Sequence, residues 1–174
     1  MVKDYRPDID GLRAIAVLAI IFFHLDLPPF HGGYVGVDIF FVISGYLITS
    51  IILREIATGS FSLIRFYERR VRRILPALAV VLVATLAAGG LLLGPTAFAE
   101  LARSAVATSL FGSNIFFLHG AGYFEGVSES KPLLHTWSLA VEEQFYILFP
   151  VVLLLIAHRA AARYTRGRAG MTVL

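Results

Sequence analysis

The sequence predicts an all-α fold, a polytopic bundle of transmembrane helices with four or five membrane segments. Three observations carry this. Hydrophobic residues make up 57% of the 174, and charged residues only 16%, against about 25% in soluble domains. Mean hydropathy is +0.77. The apolar residues fall into long runs, and the arginines gather at the ends of those runs, as topology signals do. The net charge of +3 is not spread as a nucleic-acid patch, so nucleic acid is not an expected partner. Cysteine is absent, which excludes disulfides, thiol nucleophiles and cysteine-ligated metals.

The first stretch, Ala14–Leu27, follows Arg13 and contains His24. Its flank mixes Lys3, Arg6 and Arg13 with Asp4, Asp8 and Asp10, and it runs into Asp26, Pro28 and Pro29 without a small-residue cleavage site. It therefore reads as a retained first span, not a cleaved signal peptide. The second stretch, Tyr34–Leu53, has one charge, Asp38. The third, Ile74–Ala99, is interrupted by Gly89-Gly90 and Gly94-Pro95, with Pro76 placed in the first turn of its helix. The fourth, Ser104–Leu118, is diluted by serines and Asn114. The fifth, Leu139–Ala157, carries Glu142-Glu143 near its start. A span needs about 20 predominantly apolar residues, which the second, third and fifth supply.

Loop charge sets the orientation. The N-terminal flank is basic, Pro28–Gly33 has neither lysine nor arginine, and Arg54–Arg73 holds Arg54, Arg65, Arg69, Arg70, Arg72 and Arg73. The N-terminus and the second loop are expected in the cytoplasm, as is the tail with Arg159, Arg163, Arg166 and Arg168. Both ends inside requires an even number of crossings. Four result if Ser104–Leu118 is re-entrant or interfacial, five if the tail breaks the rule. Residues 1–158 form the membrane part and 159–174 a basic tail or truncation end.

Four groups of residues could carry chemistry. Ten uncharged apolar residues separate Arg13 from His24. On a helix that offset turns about 1100°, leaving both on one stripe about 16 Å apart. An ionisable group in a membrane is a functional-site hypothesis by default. Histidine suits a general base or a proton relay; the alternative is a packing role through a helix–helix hydrogen bond. His31, His119, His135 and His158 show no ligand-like pairing, so no metal is expected. Helical spacing puts Arg65, Arg69, Arg72 and Arg73 on one face, either as an anion site matched to phosphate or as lipid-facing anchors. Ser138, Glu142, Phe145 and Tyr146 share a face while Glu143 points elsewhere. A desolvated Glu142 would need a cationic partner; at the interface both glutamates are simply hydrated. Gly36, Ser44 and Gly45 suit close helix contact.

Four motifs resemble one known family, in order. They are Asp10-Gly-Leu-Arg13 with its gap to His24; Gly36-Val-Asp38-Ile-Phe-Phe-Val-Ile-Ser-Gly45; Arg69-Arg-Val-Arg72-Arg-Ile-Leu-Pro76; and His135-Thr-Trp-Ser-Leu-Ala-Val-Glu142-Glu-Gln-Phe-Tyr146. The chain is similar to the N-terminal half of the membrane acyltransferase-3 family, which includes bacterial O-acetyltransferases of lipopolysaccharide and peptidoglycan. The resemblance implies half of a roughly ten-span fold in the bacterial inner membrane, with the C-terminal half as its missing partner. It implies transfer of an acyl group, acetyl by expectation, from acetyl-CoA or a similar donor to a hydroxyl of a cell-envelope glycan or lipid-linked sugar, with no resident cofactor. It places the family's histidine, arginine and glutamate on His24, Arg13 and Glu142, and its paired arginines on Arg69 and Arg72. Arg70 and Arg73 join these as donor-binding candidates, and Glu142 is expected to orient the His24 imidazole. The alternative is a proton-coupled transporter or channel subunit using the buried His and Glu; transporters usually carry inverted repeats, and none is evident.

Overall fold

A computed structural model describes residues 6–120 and 131–171, with side chains as far as Arg159. Among the described residues all regular structure is helical. The chain divides into two compact units, Met1–Phe61 and Ser62–Leu174, and each is described by itself.

The first unit is a helical hairpin. Helix α1, Pro7–His24, starts on a proline in its first turn with Asp8 and Asp10 beside it. The ring pre-sets φ, and the acids meet the positive end of the helix dipole. Arg6 binds Asp8 at 2.7 and 3.0 Å and donates to the Tyr46 hydroxyl at 3.2 Å. That guanidinium holds the exposed Asp8 carboxyl below its usual range. The helix stops after His24, where Asp26 takes a left-handed φ of 51°, a conformation aspartate tolerates. A 3₁₀ turn, Phe30–Val35, then leads into α2, Gly36–Ala57. The apolar run expected from Tyr34 thus enters its α-helix at Gly36, and it continues past Leu53.

Small residues let the two arms touch. A Cβ on Gly36 would lie 2.6 Å from the Ala16 carbonyl oxygen, and one on Gly33 would collide with that of Ala19. Ala16 is fully buried. Gly45, expected in the same role, has open space where a Cβ would stand. The close approach therefore belongs to the 33/36 pair, one turn apart, and not to the Ser44-Gly45 pair.

In the second unit α3 runs from Leu63 to Leu92, 30 residues. Ser62 caps it by accepting the Arg65 backbone N–H at 3.4 Å. This early start corrects the expected position of Pro76, which lies in the helix interior. Arginine is a good helix former, and Arg72 pairs with Glu68 one turn back at 2.7 Å. The arginine stretch is therefore already helical when the chain reaches Pro76, whose missing N–H leaves the Arg72 carbonyl unpaired within the helix.

Gly89 and Gly90 do not break α3 either. Gly89 admits the Leu101 side chain, which a Cβ would strike. The break falls at Leu93-Gly94, and α4, Pro95–Ser109, starts on Pro95. Helix α5, Ser113–His119, follows a turn in which Phe111 has φ 52°. Leu101, Ala105, Phe117 and Leu133 form the core here, with Leu82, Leu86 and Phe98 packed on it. Helix α6, Thr136–Met171, passes residue 158 without a break; the side chains of Arg163, Arg166 and Arg168 lie outside the described residues.

Three helical segments among the described residues are long and apolar enough to cross a membrane: Phe30–Ala57, Leu63–Leu92 and Thr136–Arg159. The 18 residues of α1 include Asp8, Asp10 and Arg13, so α1 joins them only with that end at the interface. The stretch Ser104–Leu118 is no continuous span: it is divided between α4 and α5, of 15 and 7 residues.

Candidate functional site

In the first unit, α1 is unbroken from Arg13 to His24, so the single stripe read from their spacing is realised. Arg13 is half-buried and reaches Asp10 at 3.6 Å. His24 is exposed in the last turn, with Nδ1 2.8 Å from the Ile20 carbonyl oxygen. A carbonyl can only accept, so Nδ1 carries the proton in this bond. In the neutral ring Nε2 is then the unprotonated nitrogen. The Phe23 ring meets the imidazole edge-on at 5.3 Å.

In the second unit the arginines separate into two environments. Arg65, Arg69, Arg72 and Arg73 are exposed, as their shared face predicts. Arg70 is half-buried and turned inward, its guanidinium 4.2 Å from the Tyr146 ring centre and 5.8 Å from that of Phe66. Tyr67, its neighbour, donates its hydroxyl to the Ile147 carbonyl at 2.7 Å, tying α3 to α6.

The two glutamates stand in different environments. Glu142 is half-buried and accepts the Tyr146 hydroxyl. Glu143 is the buried one, 6% exposed, and its Oε1 has no hydrogen-bond partner among the described residues. Adjacent helical residues differ by about 100°, so one carboxylate faces inward and the other stands at the edge. The spacing of apolar residues did not tell which.

Around Glu143 lies a cavity of about 360 Å³, lined by Arg70, by the rings of Tyr67, Phe111 and Tyr146, and by aliphatic side chains such as Ile74. One wall is held by a polar clamp. Gln144 Nε2 donates to the Phe111 carbonyl at 2.8 Å and to Asn114 Oδ1 at 3.0 Å, while Asn114 Nδ2 donates back to Gln144 Oε1 at 3.1 Å. Sequence reading missed the clamp and the cavity. Its one usable signal was a glutamine in the apolar segment, which needs a partner for both ends of its amide.

The chain belongs to the family described as Acyltransferase domain, which matches residues 6–171. This agrees with the resemblance carried by the four ordered motifs. A Staphylococcus aureus (strain MSSA476) protein named "Putative O-acetyltransferase" is 46% identical over 165 residues, covering 94% of this chain and 27% of its own length. The protein named O-acetyltransferase OatA, from S. aureus strain NCTC 8325, is 42% identical over 161 residues, covering 91% of this chain and 26% of its own length. The chain thus spans about a quarter of the length of these relatives. No solved structure matches it significantly.

Proposed function

We propose that this chain is the N-terminal part of an integral-membrane O-acyltransferase that moves an acetyl group from a CoA-type thioester to a hydroxyl of a cell-envelope glycan. The observation that carries the reading is the Nδ1 contact of His24 with the Ile20 carbonyl. It orients the ring and leaves the basic Nε2 outward, as general-base catalysis requires. Family membership and the relatives' names support acetyl transfer.

In this mechanism His24 Nε2 removes the proton of the acceptor hydroxyl. The oxygen attacks the thioester carbonyl carbon, a C–O bond forms and the C–S bond breaks. The departing thiolate takes the proton back from the imidazolium. Arg69, Arg72 and Arg73 present exposed guanidinium groups, whose forked donors match the phosphates of a CoA donor. Arg13 takes the family's arginine role on the His24 stripe, and Glu142 holds the family's glutamate position, while orienting the imidazole, the task first expected of Glu142, falls in this reading to the Ile20 carbonyl. Arg70, first counted with the donor-binding group, is turned against Tyr146 and takes no step in this scheme. The orientation that supports this scheme has the N-terminus and the arginine stretch in the cytoplasm of the bacterial inner membrane. Lipopolysaccharide and peptidoglycan are the acceptor classes to test.

The test is transfer from radiolabelled acetyl-CoA by membranes carrying the chain, alone and joined to the remaining sequence of a full-length relative. Incorporation of label into an envelope glycan that disappears with His24→Ala is expected. Undiminished transfer by that variant overturns the assignment.

A further inference from the structure

The buried carboxylate of Glu143 has no task in the acyl-transfer scheme, yet burying one is expensive. A polar group left without a hydrogen bond in an apolar setting destabilises the fold, and an ionised one does so more. Among the described residues no donor reaches Oε1, although it faces a cavity, and this leaves room there for a donor group of a bound molecule. The surroundings narrow its chemistry. Arg70 lines the same space, so its guanidinium and the Glu143 carboxylate together leave the site without net charge, which favours an uncharged occupant. Ile74, Phe111, Ile147 and other apolar side chains make up most of the rest of the wall, so the body of the occupant is apolar. The wall is also pre-formed: the Gln144–Asn114 pair fixes the backbone of Phe111 in its left-handed turn, so little ordering cost remains for binding.

We infer that this cavity is a binding site for an uncharged, mainly apolar molecule that donates one N–H or O–H group to Glu143 Oε1. A small aliphatic amide or alcohol is the simplest member of the class. The inference does not use the acyl-transfer reading and can fail or hold independently of it.

Carbodiimide chemistry provides the readout. Dicyclohexylcarbodiimide is apolar enough to enter such a site. The reaction draws on the protonated fraction of Glu143: the carboxyl proton passes to a carbodiimide nitrogen as the carboxyl oxygen bonds to the central carbon; the O-acylisourea then rearranges to a stable N-acylurea, which peptide mapping locates. With the chain in membranes, Glu143 is expected to be modified. Hexanamide should slow this by a factor of 1 + [L]/Kd, about tenfold near ten times its Kd. N,N-Dimethylhexanamide, which has no N–H, and hexanesulfonate, which is charged, should leave the rate within twofold of the unprotected value, roughly one unit of the same factor. Glu143→Gln should remove the mark, and the wild-type comparison stands even if that variant does not fold. No modification of Glu143, no protection by hexanamide (a cavity holding water only), or equal protection by all three compounds would each overturn the proposal.

Discussion

The guanidinium of Arg70 lies 4.2 Å from the ring centre of Tyr146, and the hydroxyl of the same tyrosine is given to Glu142 one turn earlier on α6. One ring thus ties the inward arginine of α3 to the carboxylate that the family motif carries. A partly desolvated cation–π contact is worth about 0.5–2 kcal/mol. Arg70→Ala should therefore lower the unfolding free energy in detergent by about 1–2 kcal/mol. Arg70→Lys, which keeps the charge but not the flat stacking surface, should recover only part of that. Equal stability of all three proteins would show that the contact contributes nothing.

The polar clamp on Phe111 makes a sharper test because two side chains share it. Gln144→Ala removes donors to Phe111 and Asn114, and should cost about 1–2 kcal/mol, as net hydrogen bonds of this kind do. Asn114→Ala removes part of the same set. The double variant should then be less destabilised than the sum, with a coupling of about 0.5–1.5 kcal/mol. Strict additivity in a double-mutant cycle would refute the reciprocal amide bonds.

Close approach within the first unit predicts an ordering among three glycines. Gly33→Ala and Gly36→Ala place a Cβ on the α1 backbone at Ala19 and Ala16. Backbone cannot yield as a side-chain tip can, so each should destabilise by about 1–3 kcal/mol. Gly45→Ala meets nothing within 4 Å and should be neutral or stabilising by up to about 1 kcal/mol through helix propensity. Thermal unfolding of the three variants measures the order, and a Gly45 variant as damaged as the other two would contradict it.

On the proposed mechanism, Arg69 and Arg72 bind the donor before and during reaction. Arg72→Ala also gives up the Glu68 ion pair, but both partners are solvent-exposed, where such a pair contributes only about 0–1 kcal/mol. Both alanine variants should stay folded and raise the KM for acetyl-CoA about tenfold or more while kcat changes less, the pattern of lost uniform binding. Lysine at either position should restore only part, because it lacks the fork. An unchanged KM would return these arginines to lipid anchoring.

His24 should behave in the opposite way. His24→Gln and His24→Ala leave α1 intact but remove the base, and kcat should fall about 10²–10⁴-fold, with KM for the donor little changed. A Gln variant retaining wild-type kcat would exclude proton transfer at this position.

Much of this was legible in particular residues. Ten apolar positions fixed Arg13 and His24 to one stripe, because helical spacing depends on nothing beyond the chain. Composition and arginine placement gave the membrane class, since the cost of charge in hydrocarbon is a property of each residue. Four ordered motifs gave the family. The position of Pro76 was not legible because a helix start is set by its cap, and Ser62 lies well upstream of the apolar run that begins at Ile74. The Ser104–Leu118 stretch resolved into two helices because a turn at Phe111 depends on an amide thirty-three residues away.

What the sequence by itself determined is therefore whatever follows from residue chemistry and local period: an all-helical membrane fold, the arginine face, the histidine stripe and the family. Tertiary structure alone decided which of two adjacent glutamates is buried, which arginine turns inward and which glycines touch another helix. The reason is that each of those choices depends on the rotation of one helix against its neighbour. A shift of a single residue, about 100°, reverses it while leaving every local pattern unchanged.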